Sequence, residues 1–129
     1  MTDKAERVRR AFERWNAGDH TAPLDEIHPD AEVHTVIGGA LSGEKFRGHQ
    51  GVREWLRGFD ENFERWQIEV GEILEEGDRV VLLGFIRARG RASGVELEQP
   101  VGWVFRFRDG KFWRVHTFLS HDEALAAGQ

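Results

Sequence analysis

The chain has 129 residues, 40% of them hydrophobic and 32% charged, the size and composition of one soluble globular domain covering residues 1–129. It lacks the run of about 20 apolar residues that a membrane helix needs, and its charged N-terminus lacks the apolar stretch of a secretory signal. We therefore expect a cytoplasmic protein without a membrane partner. The absence of cysteine removes disulfides and thiolate chemistry, and the net charge of −5 argues against a nucleic-acid partner.

The first half of the chain predicts three helices and one strand. An amphipathic helix comes first, and its apolar residues are Ala5, Val8, Phe12 and Trp15. A short helix is predicted over residues 23–27 and is ended by Pro29, because the residue before a proline is driven out of helical geometry. A strand at residues 32–37 and a glycine-rich loop at residues 38–45 follow. A third helix is predicted from Gly48 onward.

The second half predicts a meander of strands. The predicted strands are residues 66–74, 80–86, 95–107 and 112–119. Asp109-Gly110 is a strong hairpin signal, because both central residues of such a turn favour positive φ. Ser120 and Glu123 have the spacing of a capping box, which predicts a short final helical turn.

The order of these elements favours an α+β fold. Three N-terminal helices would pack on a strongly curved antiparallel or mixed β-sheet, forming a cone with an apolar chamber. The strand at residues 80–86 is apolar on both faces, so its outer face needs a cover. We expect a second copy of the chain to supply that cover, as a homodimer through the outer sheet face.

Several short motifs, in order along nearly the whole chain, resemble the SnoaL-like family of the nuclear transport factor 2 superfamily. The matching blocks are residues 8–19, 28–33, 47–53, 77–81, 93–96, 108–111 and 123–128. The superfamily includes ketosteroid isomerases, polyketide cyclases, scytalone dehydratases and limonene epoxide hydrolases. The resemblance therefore implies the cone fold and a pocket for a small molecule, without a cofactor.

The catalytic groups of these relatives have no counterpart in the sequence. By resemblance, the position of the ketosteroid isomerase base holds Thr35, and that of its buried aspartic acid holds Trp103. A threonine hydroxyl cannot take up a proton at neutral pH. The acid–base position of the polyketide cyclases falls at Thr117, while alternation places the neighbouring His116 on the same face as Arg114.

Candidate site residues follow from the chemistry of the predicted pocket. We expect the walls to include Trp15, Trp55, Trp103 and Phe105, with Thr35 and Thr117 as polar contacts. His34 is a weak candidate base, since imidazole titrates near neutral pH but alternation turns it away from its neighbours in the strand.

The remaining ionisable residues suggest no further site. His49 and His121 are interpreted as helix-end residues, and the histidines lack the spacing of metal ligands. Arg87, Arg89 and Arg91 are interpreted as solvated charges on an edge of the sheet.

Three functions remain open for such a pocket. The chain could be a cofactor-independent isomerase, cyclase, dehydratase or hydrolase acting on a small apolar substrate. It could instead bind a hydrophobic metabolite without catalysis, or act as a protein-interaction scaffold. An ionisable side chain deep in the cavity would favour the enzyme, whereas a cavity lined only by apolar and hydroxyl groups would favour the binder.

Overall fold

The computed structural model describes residues 3–17, 26–35 and 44–127. The helices are α1 (Asp3–Asn16), α2 (Gly48–Asn62) and α3 (His121–Ala127). The strands are β1 (Ile27–Thr35), β2 (Glu44–Arg47), β3 (Phe63–Glu76), β4 (Arg79–Gly90), β5 (Glu96–Arg108) and β6 (Lys111–Phe118).

The six strands form one mixed sheet in the order β2-β1-β6-β5-β4-β3. All neighbours are antiparallel except β1 and β6, which run parallel. Register shifts interrupt the β1–β6, β3–β4 and β5–β6 pairs, and such bulges bend strands. The predicted α+β class is confirmed. The predicted hairpin is also present, with φ of 55° at Asp109 and 74° at Gly110.

The placement of the helices corrects one part of the prediction. The described residues do contain three helices, but α3 follows the last strand, so the three are not all N-terminal. Most of the short helix predicted at residues 23–27 lies outside the described residues, and its last residue, Ile27, begins β1. Pro29 therefore lies within a strand. It falls where the β1–β6 register shifts, and proline is tolerated there because no ladder hydrogen bond is lost.

The inner face of the sheet packs against α1 and α2. From α1, Val8 and Phe12 are buried, and from α2, Val52 and Trp55 are buried; all four belong to the main core cluster. The end of α1 is fastened to the sheet by Asn16. Its Nδ2 donates to the carbonyl oxygen of Ile68 at 2.7 Å, and the Ile68 amide donates to its Oδ1 at 2.9 Å.

The outer face of the sheet is partly covered by α3. Ala124 is fully buried against Val81, Leu83 and Val104 in a second core cluster. Gly102 allows this close approach, because a Cβ there would lie 2.4 Å from the Ala124 Cβ. The helix thus covers Val81 and Leu83 on the outer face of β4, for which the sequence had suggested a second copy of the chain.

The start of α3 is fixed by two polar contacts. The amide of Glu123 donates to the Ser120 Oγ at 3.3 Å, which confirms the predicted cap. His121 Nε2 lies 2.8 Å from the Gly84 carbonyl oxygen, so this histidine ties the beginning of the helix to β4.

Candidate functional site

A small apolar cavity lies between the two long helices and the inner face of the sheet. Its volume is about 50 Å³, well below the range of roughly 300–1,000 Å³ typical of ligand pockets. The described residues that line it are all apolar or aromatic: Ala11, Phe12, Trp15, Ile27, Ala31, Val33, Val52, Trp55, Phe105, Phe112 and Val115. Side chains thus nearly fill the space where the sequence predicted an apolar chamber.

Three of the predicted wall residues meet at this cavity. Trp15, Trp55 and Phe105 all line it, and the ring centroids of Trp15 and Trp55 are 5.8 Å apart in an edge-to-face arrangement. Phe12 was predicted only as an apolar residue of the first helix. Its ring centroid lies 4.8 Å from that of Trp15 and 6.0 Å from that of Phe105. These aromatic contacts fill most of the space beneath the helices.

The other predicted contacts lie behind the wall of this cavity. Trp103 is 0% exposed and Thr117 is 7% exposed, and neither lines the cavity. They are direct partners across β5 and β6, one step along the inner face from the lining pair Phe105 and Val115. The backbone of Thr35 closes the β1–β2 ladder, but its side chain lies outside the described part of the chain.

Trp103 and Thr117 each bury a polar side-chain atom. Among the described residues, neither the Trp103 Nε1 nor the Thr117 Oγ1 has a hydrogen-bond partner. A buried polar group left in this state costs about 1–3 kcal/mol. Two neighbouring groups, one a donor and one both donor and acceptor, are thus available for a hydrogen-bonding ligand.

A larger open groove of about 700 Å³ adjoins the apolar cavity at Trp15, which lines both. Trp66 continues the aromatic surface, with its ring centroid 5.9 Å from that of Trp15. The described lining residues are Trp15, Asn16, Phe63, Glu64, Arg65, Trp66, Gln67, Arg87, Ala88, Arg89, Arg91, Glu96, Leu97 and Glu98. This groove was not predicted from the sequence. Its signal was the mixture of aromatic and charged residues in β3 and β4.

The arginines of this groove are not at an edge of the sheet, as the sequence had suggested. Arg87 and Arg89 lie on β4, which pairs with β3 on one side and β5 on the other. Arg87 forms ion pairs with Glu69 at 3.0 Å and Glu98 at 3.5 Å, so its charge is held within a cross-strand ladder.

His34 lies on the outer face, away from the apolar cavity. Its imidazole stacks on His116 with ring centroids 4.3 Å apart, and its Nε2 is 3.3 Å from the Glu32 Oε1. The alternation read from the sequence is confirmed, because Val33 is buried in the inner core. His34 therefore does not reach the cavity as a base.

Two ionisable groups on the outer face have shifted pKa values. Burial lowers the pKa of His116, and the charges of His34, Arg106 and Arg114 lower it further against an opposing effect of Glu32. Burial would raise the pKa of Glu32, but its hydrogen bond with His34 and the nearby cations outweigh that effect and lower it. These cations are Arg114, Arg47 and Lys45.

The remaining histidines and the helices give no sign of a metal or a membrane. His49 Nε2 lies 2.8 Å from the Ile27 carbonyl oxygen, a structural contact at the start of α2. No three metal-ligating side chains converge within the described ranges of the chain. None of the helices in that part of the chain is long and apolar enough to cross a bilayer.

The mixed six-stranded sheet and its helices define an α+β protein with the NTF2-like fold and a small apolar cavity beneath its long helices. Residues 8–115 match the family model of the SnoaL-like domain, and the chain belongs to that family. No curated protein matches the chain.

Solved structures share this fold at low sequence identity. An NTF2-like protein of unknown function from Burkholderia pseudomallei has a TM-score of 0.81 at 22% identity, over 98% of this chain and 97% of that one. TerC, co-crystallised with polyporic acid, has a TM-score of 0.77 at 22% identity, over 97% of each chain. A candidate SnoaL-like polyketide cyclase from Jannaschia has a TM-score of 0.75 at 20% identity, over 96% of this chain and 90% of that one. These likenesses show the fold.

Proposed function

We propose that the chain binds a small apolar molecule where the apolar cavity and the open groove meet, at Trp15. The observation that carries this proposal is the lining of the cavity, in which every described residue is apolar or aromatic. The cavity of about 50 Å³ accommodates only a small part of such a ligand, while the adjoining groove of about 700 Å³ has room for the rest. Trp15 contributes to both, so its ring is the central contact.

The buried pair Trp103 and Thr117 supports a ligand that carries one oxygen atom. A carbonyl or hydroxyl oxygen that reached past Phe105 and Val115 would accept a hydrogen bond from the Trp103 Nε1. The same oxygen would form a second hydrogen bond with the Thr117 hydroxyl. It would thereby remove the cost of two unpartnered groups. The ligand class is a small hydrophobic molecule with a single polar end, such as an apolar ketone or alcohol.

The lining favours binding without acid–base catalysis. General acid–base chemistry needs a titratable group near the reacting atom, and the described lining of the cavity contains none. The alternative is a cofactor-independent isomerase, cyclase or hydrolase. It draws support from the family and from the adjoining groove, whose described lining includes the carboxylates of Glu64, Glu96 and Glu98.

A homodimer through the outer sheet face remains a separate proposal. The doubly apolar strand no longer supports it, because α3 covers Val81 and Leu83 of β4 and Val104 of β5. The part of the outer face formed by β2, β1 and β6 is the surface left for a second copy or for a protein partner, and sedimentation of the purified chain would test this.

A cavity-filling substitution tests the pocket directly. Ala11→Leu adds three carbon atoms from α1 into a space of about 50 Å³. It should abolish saturable binding of the neutral fluorophore N-phenylnaphthylamine while leaving the thermal midpoint equal or higher. Ala126→Leu, on the exposed side of α3, is the matched control and should bind the probe like the parent protein. Polyporic acid is a second probe, chosen because TerC was crystallised with it.

Two results would contradict the proposal. Unchanged probe affinity in a folded Ala11→Leu protein would place the binding site elsewhere. Equal loss of affinity in Ala11→Leu and Ala126→Leu would indicate nonspecific association with apolar surface. Turnover of an apolar substrate that Glu64→Gln removes, with probe binding retained, would instead favour the enzyme.

A further inference from the structure

Four arginines lie in one line across the outer face of the sheet. The backbone register pairs Arg79 with Arg106, Arg106 with Arg114, Arg114 with Glu32, and Glu32 with Arg47. Neighbouring strands are about 4.8 Å apart, so the line crosses five strands in about 19 Å. We call Arg79, Arg106, Arg114 and Arg47 the arginine row.

The positive charge of this row is only partly neutralised. Glu32 is shared by Arg114 at 3.6 Å and Arg47 at 3.7 Å. Glu76 of β3 lies opposite Arg79 in the backbone register. Within the described ranges, however, neither Arg79 nor Arg106 forms an ion pair with a carboxylate, although both are half-buried. Like charges directly opposite each other on neighbouring strands are destabilising, and Arg106 is flanked by one arginine on each side.

The surroundings of the row are consistent with a positive local potential. His116 lies in the next cross-strand line with His34 and Lys45. Its pKa is lowered by burial and by the charges of His34, Arg106 and Arg114. Glu32 is the one carboxylate among the groups acting on His116. An anion bound here would therefore gain attraction from several cations at once.

Trp113 of β6 adds an aromatic ring beside Arg114, at the middle of the row. The Arg114 guanidinium lies 3.9 Å from the centroid of a Trp113 ring and that of Arg108 lies 5.2 Å from it. Such stacking fixes the plane of a guanidinium. The Arg114 Nη1 also donates to the carbonyl oxygens of Asp30 at 3.0 Å and Trp113 at 3.1 Å, so Arg114 adds positive charge to the site while Arg106 and Arg79 have N–H groups for direct contact with an oxyanion.

We propose that the arginine row is a binding site for a small molecule carrying two oxyanion groups, either phosphates or carboxylates. Planar guanidinium groups bind both kinds of oxyanion in bidentate fashion, and their spacing of about 4.8 Å across strands suits a ligand with two anionic groups. The site lies on the opposite face of the sheet from the apolar cavity. Experiments on the arginine row therefore test this proposal independently of the proposed small-molecule pocket.

Sodium pyrophosphate and sodium succinate are the two probes, each titrated at constant ionic strength against sodium chloride. The readout is the imidazole resonance of His116, assigned with a His116→Gln variant. A bound anion should give a saturable shift and raise the pKa of His116, because it stabilises the imidazolium. A response to pyrophosphate alone assigns a phosphorylated ligand, and a response to succinate alone assigns a dicarboxylate. A response to both assigns a general dianion site.

Arg106→Gln should weaken binding of the responding probe about tenfold, since it removes a charge-assisted contact at the centre of the row. Arg57→Gln, an exposed arginine on α2, is the matched control and should change the affinity by less than about twofold. Removing a like charge should also raise the thermal midpoint of Arg106→Gln without anion, which shows that the variant is folded. Equal effects of the two substitutions, or an equal shift with chloride, would overturn the proposal and leave solvated arginines only.

Discussion

The unpartnered hydroxyl of Thr117 predicts a substitution that stabilises the protein. Thr117→Val keeps nearly the same shape and replaces the buried hydroxyl with a methyl group. The Thr117 Oγ1 has no hydrogen-bond partner among the described residues, so its removal should recover part of a desolvation cost of about 1–3 kcal/mol. We expect an increase of about 1–2 kcal/mol in the free energy of unfolding. For a chain of this size, that corresponds to a rise in Tm of about 3–5 °C per kcal/mol.

Urea and thermal melts of the ligand-free protein measure this change. Thr117→Ser is the matched control, because it keeps the hydroxyl and loses the buried methyl group, which should cost about 1 kcal/mol. A lower stability of Thr117→Val than of the parent protein would refute the reasoning, since it would mean that the hydroxyl has a partner in solution. If the proposed ligand uses this hydroxyl, Thr117→Val should also bind it more weakly despite its higher stability.

Three further predictions concern other parts of the fold. Gly102→Ala should destabilise the protein by about 1–3 kcal/mol, because the added Cβ would lie 2.4 Å from the Cβ of Ala124 in α3. Adding Ala124→Gly should restore most of the lost stability in thermal melts, and a double variant without such recovery would place the strain elsewhere. Asn16→Ala should cost about 1–3 kcal/mol in urea melts by removing both hydrogen bonds to Ile68, and a loss below about 0.5 kcal/mol would contradict this. The lowered pKa of His116 means that the unfolded chain binds a proton at this residue more tightly than the folded chain does. The stabilisation that comes from neutral His116 is therefore complete above pH 6.5, and the free energy of unfolding should decrease as the pH falls below that value. His116→Gln should flatten that loss in melts over a pH series, and an identical pH dependence in both proteins would rule out His116 as its source.

Periodicity predicted the elements whose residues contact each other locally. It placed the start of the long helix at Gly48 and the hairpin at Asp109 and Gly110, because helix and turn geometry depend on neighbouring residues. It did not predict that α3 covers the outer sheet face. Ala124 is the buried residue of that helix, so the helix has no apolar stripe to recognise, and its docking depends on the missing side chain of Gly102, far away in the sequence.

The candidate site was predictable in composition but not in volume. Trp15, Trp55 and Phe105 were predicted to share one pocket wall, and all three line the cavity. This was predictable because helical spacing and strand alternation fix which face of an element each residue occupies. How much space remains depends on how the rings pack in three dimensions. The ring centroid of Phe12 lies 4.8 Å from that of Trp15 and 5.3 Å from that of Trp103. Contacts of this kind cannot be recognised from the spacing of residues in the sequence.

One irregularity in β6 allows the same strand to serve both surfaces. Residues two apart in a regular strand share a face, yet Phe112 lines the apolar cavity whereas Arg114 lies in the outer arginine row. The register accounts for this, because it passes from the pair Phe107 and Phe112 to the pair Arg106 and Arg114 and leaves Trp113 as the extra residue of a bulge. Without Trp113, either Phe112 would leave the cavity or Arg114 and the residues after it would turn inward. The bulge therefore keeps the titratable side chains of β6 on the outer face, which is why an apolar cavity and a cationic surface coexist on one thin sheet.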